Sequence, residues 1–317
     1  MKFPKYGFAV LFGLALFMFT GYLLADTFLI PRAYAVVTET PEAVQTTQAP
    51  EAIVLVPEAS EETAAPEATP AEPVTTDTTY TDANISVQLS TYRLADTTVY
   101  VADVRLTSPD YLLTAFADST YGRNITETTS SMAETVHAIL AINGDYYGAQ
   151  RAGYVIRNGV LYRSASGGGE DLVIWRDGSF SVIREDEISA EELLAQGAWN
   201  VLSFGPALVE NGELTVSVND EVGRAMASNP RTAIGVIDDL HYLFVVSDGR
   251  TSESEGLSLY ELAEFLQSLG AKTAYNLDGG GSSSMVFLGE LVNNPTSGGR
   301  KSSERSVSDI VYIGYGA

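Results

Sequence analysis

From about Ala83 onward the chain is a succession of short apolar runs, each stopped by a turn signal, and that alternation limits it to hairpin-rich folds. "GYVIRNGVLYR" (153–163), "DLVIWRDGSFSVI" (171–183), "GPALVENGEL" (205–214) and "RTAIGVIDDLHYLFVVSDG" (231–249) each set a polar turn between two strand-like stretches. Asn-Gly and Asp-Gly supply the positive φ that tight hairpins need. Further strand candidates are 98–106, 138–144, 283–292 and 306–315. Three stretches read as helices: "SSMAETVHAI", "SAEELLAQG" and "SLYELAEFLQSLGA". Each opens with serine, and the last two carry an early glutamate and a closing glycine, the marks of a capped helix. Many hairpins with few helices predict an α+β domain over 83–317 with a largely antiparallel or mixed β-sheet.

Two different materials precede it. In residues 1–35, Lys2 and Lys5 stand before an uncharged run from Tyr6 to Ala25. About 20 apolar residues suffice to span a bilayer. The run is long for the apolar part of a cleaved signal peptide, so an uncleaved transmembrane anchor is the preferred reading and cleavage after "AYA" the rival. The lysines would keep the N-terminus in the cytoplasm and send the rest outside. Residues 36–82 hold six prolines and ten acidic residues with no Lys, Arg or Gly. Like-charge repulsion and proline stiffness predict an extended, disordered stalk there.

Composition removes several chemistries. The 41 acidic residues outnumber the 18 basic ones, a balance that repels nucleic acid. With no cysteine there is no disulfide, thiolate metal site or cysteine nucleophile. Only His137 and His241 are present, too few for an ordinary histidine-rich zinc site, and each is read as structural.

Four apolar runs end in polar, glycine-containing turns: "AINGDYYG" (141–148), "NPRTAIGV" (229–236), "VVSDGR" (245–250) and "NLDGGGSSS" (276–284). Strand ends that open into such turns can bring polar groups together on a ligand. The last one spends three glycines beside an aspartate, which lets the backbone come close to a partner or present its N–H groups to an anion.

With "FGPALV" and the ending "ERSVSDIVYI", these motifs resemble the phosphodiester glycosidase family in order and separation, over roughly 83–317. Its animal member removes a blocking N-acetylglucosamine, and its bacterial members are often described as exopolysaccharide-related. The resemblance implies an extracytoplasmic hydrolase that cleaves the sugar side of a sugar-1-phosphodiester, in an envelope glycopolymer or a related glycoconjugate. Arginine's planar fork suits a phosphodiester, which makes Arg231, Arg305 and Arg250 the expected phosphate binders. An oxocarbenium-like transition state calls for a carboxylate, and Asp278 and Asp145 are the natural catalytic pair. Gly279, Gly280 and Gly281 with Ser282 and Ser283 would line the substrate, and Asn143 and Asn276 would bond sugar hydroxyls or hold the carboxylates. Calcium or magnesium on Asp145 and Asp278 is the one metal these hard ligands would suit. Two alternatives stand beside this reading: a non-catalytic carbohydrate-binding or assembly protein, and a metal-dependent phosphodiesterase that cleaves P–O. The main expectation is geometric, that Asp145, Arg231, Asp278 and Arg305 converge on one cleft.

Overall fold

The computed structural model describes residues 7–34, 72–220, 228–297 and 302–316. Three sheets carry the domain, and every pairing between their strands is antiparallel. The largest has nine strands in the order Glu213–Leu214, Ala207–Glu210, Thr273–Asn276, Arg231–Asp238, His241–Ser247, Thr97–Leu106, Ile85–Leu94, Thr79–Thr81 and Val74–Thr75. A second runs Glu290–Leu291, Met285–Phe287, Leu140–Asn143, Asp309–Ile313, Leu112–Phe116. The third runs Val160–Arg163, Val155–Arg157, Ala198–Leu202, Glu170–Trp175, Phe180–Arg184.

The four turn signals each join a hairpin, as the sequence predicts. The central strand His241–Ser247 is buried at every position because the sheet is covered on both faces. Tyr242, Phe244 and Val246 point into one core with Leu140, Ile142, Val311 and Ile313 of the second sheet and Leu172, Ile174 and Leu202 of the third. Leu243 and Val245 point the other way, against Leu259, Leu262, Ala263 and Leu266 of the helix Leu259–Ser268. That helix and Ala190–Ala195 both begin with complete capping boxes, at Ser258 and Ser189. The third expected helix is the short Thr129–Thr135, capped by Thr128 rather than by a serine.

Two boundaries differ from expectation. Val74–Thr75 pairs with Thr79–Thr81, which pairs onto Ile85–Leu94, so the sheet starts inside the segment read as stalk. Ile85–Leu94 itself has no clean apolar alternation, since half of it faces outward. The stalk between residues 35 and 71 lies outside the described residues. A helix, Gly7–Phe28, forms where the anchor was expected. Among the described residues no helix is long and apolar enough to cross a membrane, so the transmembrane reading has no support there. After Gly7–Phe28, Arg32–Ala33 pairs with Gly122–Arg123 at the domain edge.

The cap of the helix that covers the large sheet gives a direct test. Ser258→Ala removes the acceptor for the Glu261 N–H, and should cost about 1 kcal/mol in urea unfolding. An unchanged midpoint would mean that the cap adds nothing in this context.

Candidate active site

The strands Leu140–Asn143, Thr273–Asn276 and Arg231–Asp238 begin or end close together, and one side chain joins them. Asn143 is fully buried. Its Oδ1 accepts from the Thr232 hydroxyl at 2.8 Å and the Ser284 N–H at 3.2 Å. Its Nδ2 donates to the Asp278 carbonyl at 2.6 Å. The Asp278 N–H donates to the Gly144 carbonyl at 3.2 Å, a second link between the two motif turns. Asn143 thus holds the carboxylate-bearing turn from behind. Asn276, also buried, donates from Nδ2 to the Gly205 carbonyl at 2.7 Å.

The Asp278 carboxylate sits 8% exposed. It accepts on Oδ2 from the Ser282 hydroxyl and from Arg305 Nη2 at 3.1 Å. Burial pushes its pKa up, while the Arg305 charge and the Ser282 hydrogen bond pull it back. Ser282 is saturated: its one proton goes to Asp278, and its lone pairs accept from Arg305 Nε and Nη2. It therefore orients Asp278 and Arg305 rather than acting as a free hydroxyl donor. Ser283 is fully buried as well.

The three glycines answer to packing more than to anion binding. A Cβ on Gly279 would lie 2.9 Å from the Pro230 carbonyl, and one on Gly281 2.6 Å from Ser297 Oγ. Gly280 has φ +62° and packs against the Arg250 guanidinium, 2.8 Å from where its Cβ would be. Its N–H is taken by the Pro230 carbonyl. Arg250 is held by two bonds, from Nε and Nη2, to Asn229 Oδ1 at 3.0 and 2.9 Å. Arg250 and Arg305 therefore flank one turn, and among the described residues the Nη1 of each makes no hydrogen bond. Arg231 is buried beneath them, with Nε donating to the Leu257 carbonyl at 2.8 Å.

Asp145 does not join this group through its carboxylate. Oδ2 accepts from Arg157 Nη2 at 2.8 Å and the Ser203 N–H at 2.7 Å, and Oδ1 from the Tyr147 N–H at 3.1 Å. Arg157 is shared with Asp309, whose Oδ2 lies 2.9 Å from the same nitrogen. All three side chains are buried. Burial and the Asp145 charge raise the Asp309 pKa against the pull of Arg157. The expected metal pair is divided accordingly: Asp145 and Asp278 belong to separate hydrogen-bond networks. Among the described residues no cluster of three or more His, Cys, Asp or Glu side chains could hold a metal ion. His241 pairs with Asp103 at 2.9 Å, and His137 follows the helix Thr129–Thr135 with φ +53°.

Arg157, Asp309 and Asn229 were not singled out from sequence, although all three lie in quoted stretches. A fourth group, Asp171 and Glu185, packs behind them. Glu185 accepts from the N–H groups of Tyr154 and Gly168 at 2.8 Å each, and from Gly167. These donors outweigh its burial and lower its pKa. Asp171, fully buried beside it, is pushed up to about 9 by burial and by the Glu185 charge. Cavities of about 170, 570 and 340 Å³ lie elsewhere, and none is lined by Asp278, Arg250 or Arg305. The candidate site is the glycine turn itself, largely buried, with Arg305 exposed at its edge and Gly279 and Arg250 half-buried.

Residues 137–314 match the family model described as phosphodiester glycosidase. The chain is 32% identical over 203 residues to the SPbeta prophage-derived uncharacterized protein YomE of Bacillus subtilis (strain 168), covering 62% of this chain and 31% of that protein. It is 30% identical over 173 residues to the mouse N-acetylglucosamine-1-phosphodiester alpha-N-acetylglucosaminidase, covering 50% of this chain and 33% of that enzyme. It thus spans about a third of the length of these curated relatives. The catalytic domain of the zebrafish enzyme of that name, solved auto-inhibited by its pro-peptide, shares the fold. Its TM-score is 0.57 at 22% identity, covering 72% of this chain and 82% of that one.

The two buried networks separate in experiment. Arg157→Met leaves Asp145 and Asp309 facing each other without a cation, and should cost about 3–5 kcal/mol in chemical unfolding. A loss under 1 kcal/mol would show the triad to be dispensable. The folded pKa of Asp171 is raised, so the native state binds more protons than the unfolded state between pH ~4 and ~9, and stability falls as pH rises through that window. Asp171→Asn should flatten this slope. An unaltered slope would mean that Asp171 is not held protonated.

Proposed function

The chain belongs to the phosphodiester glycosidase family, and on that premise we propose that it hydrolyses a sugar-1-phosphodiester at the anomeric C–O bond. The observation that carries the proposal is the pairing of one buried carboxylate with two arginines around a single turn. The Nη1 donors of Arg250 and Arg305 supply hydrogen bonds to the two non-bridging phosphate oxygens, and their charge meets that of the diester. Asp278 faces the sugar side. As the C–O bond breaks, its electron pair goes to the bridging phosphate oxygen and positive charge builds on the ring, which the carboxylate stabilises. Water adds to the anomeric carbon and its proton passes to Asp278. The products are a free sugar and a phosphomonoester.

This scheme needs one catalytic carboxylate, not the pair expected from sequence. A phosphomonoester anion is a stable leaving group, so no second acid has to protonate it. Asp145 is engaged by Arg157, Ser203 and Tyr147 and acts as a brace under the turn. For the natural substrate we propose a phosphodiester-linked glycan of the cell envelope. The domain would work outside the cytoplasm, in line with Lys2 and Lys5 ahead of an apolar N-terminal helix.

The test uses the full chain and a panel of sugar-1-phosphodiesters that includes a nucleotide sugar, with and without chelator. The parent should release reducing sugar, and Asp278→Asn should lower kcat about 10²–10⁴-fold. Arg305→Lys keeps the charge but loses the fork, and should raise KM as well as lower kcat. Release of a sugar-1-phosphate, with chelator sensitivity, would contradict the proposal and point to P–O cleavage. Saturable glycan binding with no turnover would point to a binding protein.

A further inference from the structure

Tyr146 is an exposed aromatic residue with a left-handed backbone, at φ +70° and ψ +24°. It is 44% exposed. That conformation is unfavourable for a bulky side chain and persists only where the surroundings enforce it. The enforcement is visible on both sides. Before it, the Asp145 carboxylate is fixed by Arg157 and the Ser203 N–H. After it, the Tyr147 N–H donates to Asp145 Oδ1, and the Tyr147 ring is buried against Phe116 and Tyr121. Tyr146 is left outside, with no ring partner among the described residues.

Its place gives the strain a use. Gly144, two residues earlier, accepts from the Asp278 N–H at 3.2 Å. With about 3.8 Å between consecutive Cα atoms, the Tyr146 backbone lies within about 8 Å of Gly144, the residue whose carbonyl meets the Asp278 turn. The arginines of that turn serve an anion and Asp278 a cationic ring, but neither offers an apolar surface. A pyranose ring has one face of C–H groups, which an aromatic face can cover. We propose that Tyr146 is the stacking platform for the sugar ring, with the ring plane setting which face of the anomeric carbon meets Asp278. The proposal deepens the phosphodiester-glycosidase reading and rests on it for the identity of the substrate.

A platform and a merely structural residue predict opposite results for one substitution. Glycine adopts this φ without penalty, so Tyr146→Gly should hold or raise thermal stability. It should also raise KM for a sugar-1-phosphodiester about tenfold or more, with kcat changed less than threefold. Tyr146→Phe keeps the ring and should match the parent. Parental KM in the glycine variant would overturn the proposal. The same three proteins are titrated with glucose 1-phosphate and with inorganic phosphate, which needs no turnover. Tighter binding of glucose 1-phosphate by the parent, lost in Tyr146→Gly with phosphate binding unchanged, supports the platform even if no diester is hydrolysed. In that case only the hydrolase reading fails. Equal binding of the two probes by the parent, or no binding of either, would overturn the platform.

Discussion

The Asn143 side chain is the contact on which the arrangement of the site depends. It reaches from one sheet to the hydroxyl of Thr232 in another, and to the backbone of the Asp278 turn. A buried amide has two donors and two acceptor sites, and each one unmet inside the protein costs about 1–3 kcal/mol. Here those demands are met by groups from separate strand ends. The hydrogen bonds that keep Asn143 buried also keep the two motif turns in register. A site made of loop residues gains in this way the rigidity of the sheets beneath it.

Charge is distributed on the same principle. The domain is strongly acidic, yet its buried carboxylates are individually accounted for. Asp145 and Asp309 share Arg157, Asp248 accepts from Asn293, the Asn294 N–H and Tyr100, Glu185 is wrapped by backbone N–H groups, and Asp171 is held protonated beside Glu185. This leaves Asp278 as the buried carboxylate paired with a half-exposed arginine, Arg305. The glycine turn then has a plain explanation. Gly279 and Gly281 admit Pro230 and Ser297, and Gly280 admits the Arg250 guanidinium, so one carboxylate and two cations can crowd around a single bend.

Local features were legible in the sequence and long-range ones were not. The capping serines Ser189 and Ser258, and the hairpin turns, rest on neighbours a few residues apart, and they form as read. The motifs also lie at strand ends that meet in the fold. Which way each side chain turns depends on partners far along the chain. Asp145 was matched with Asp278 because both follow apolar runs, but its carboxylate is claimed by Arg157, a residue that reads locally only as the start of a hairpin turn. Ser282 looked like a ligand donor until its hydroxyl proved to be shared between Asp278 and Arg305. Strand Ile85–Leu94 escaped notice because its polar residues sit on an open face, where no core imposes alternation. The N-terminal helix was legible as a helix from its uncharged run.

The central claim is that the bond broken lies on the sugar side of the phosphodiester. The most direct measurement is a single turnover in water enriched in the heavy isotope of oxygen, followed by mass analysis of both products. The account predicts the label at the anomeric hydroxyl of the released sugar and none in the phosphate. Label in the phosphate would contradict it, since water would then have attacked phosphorus and Asp278 would not be serving a cationic sugar.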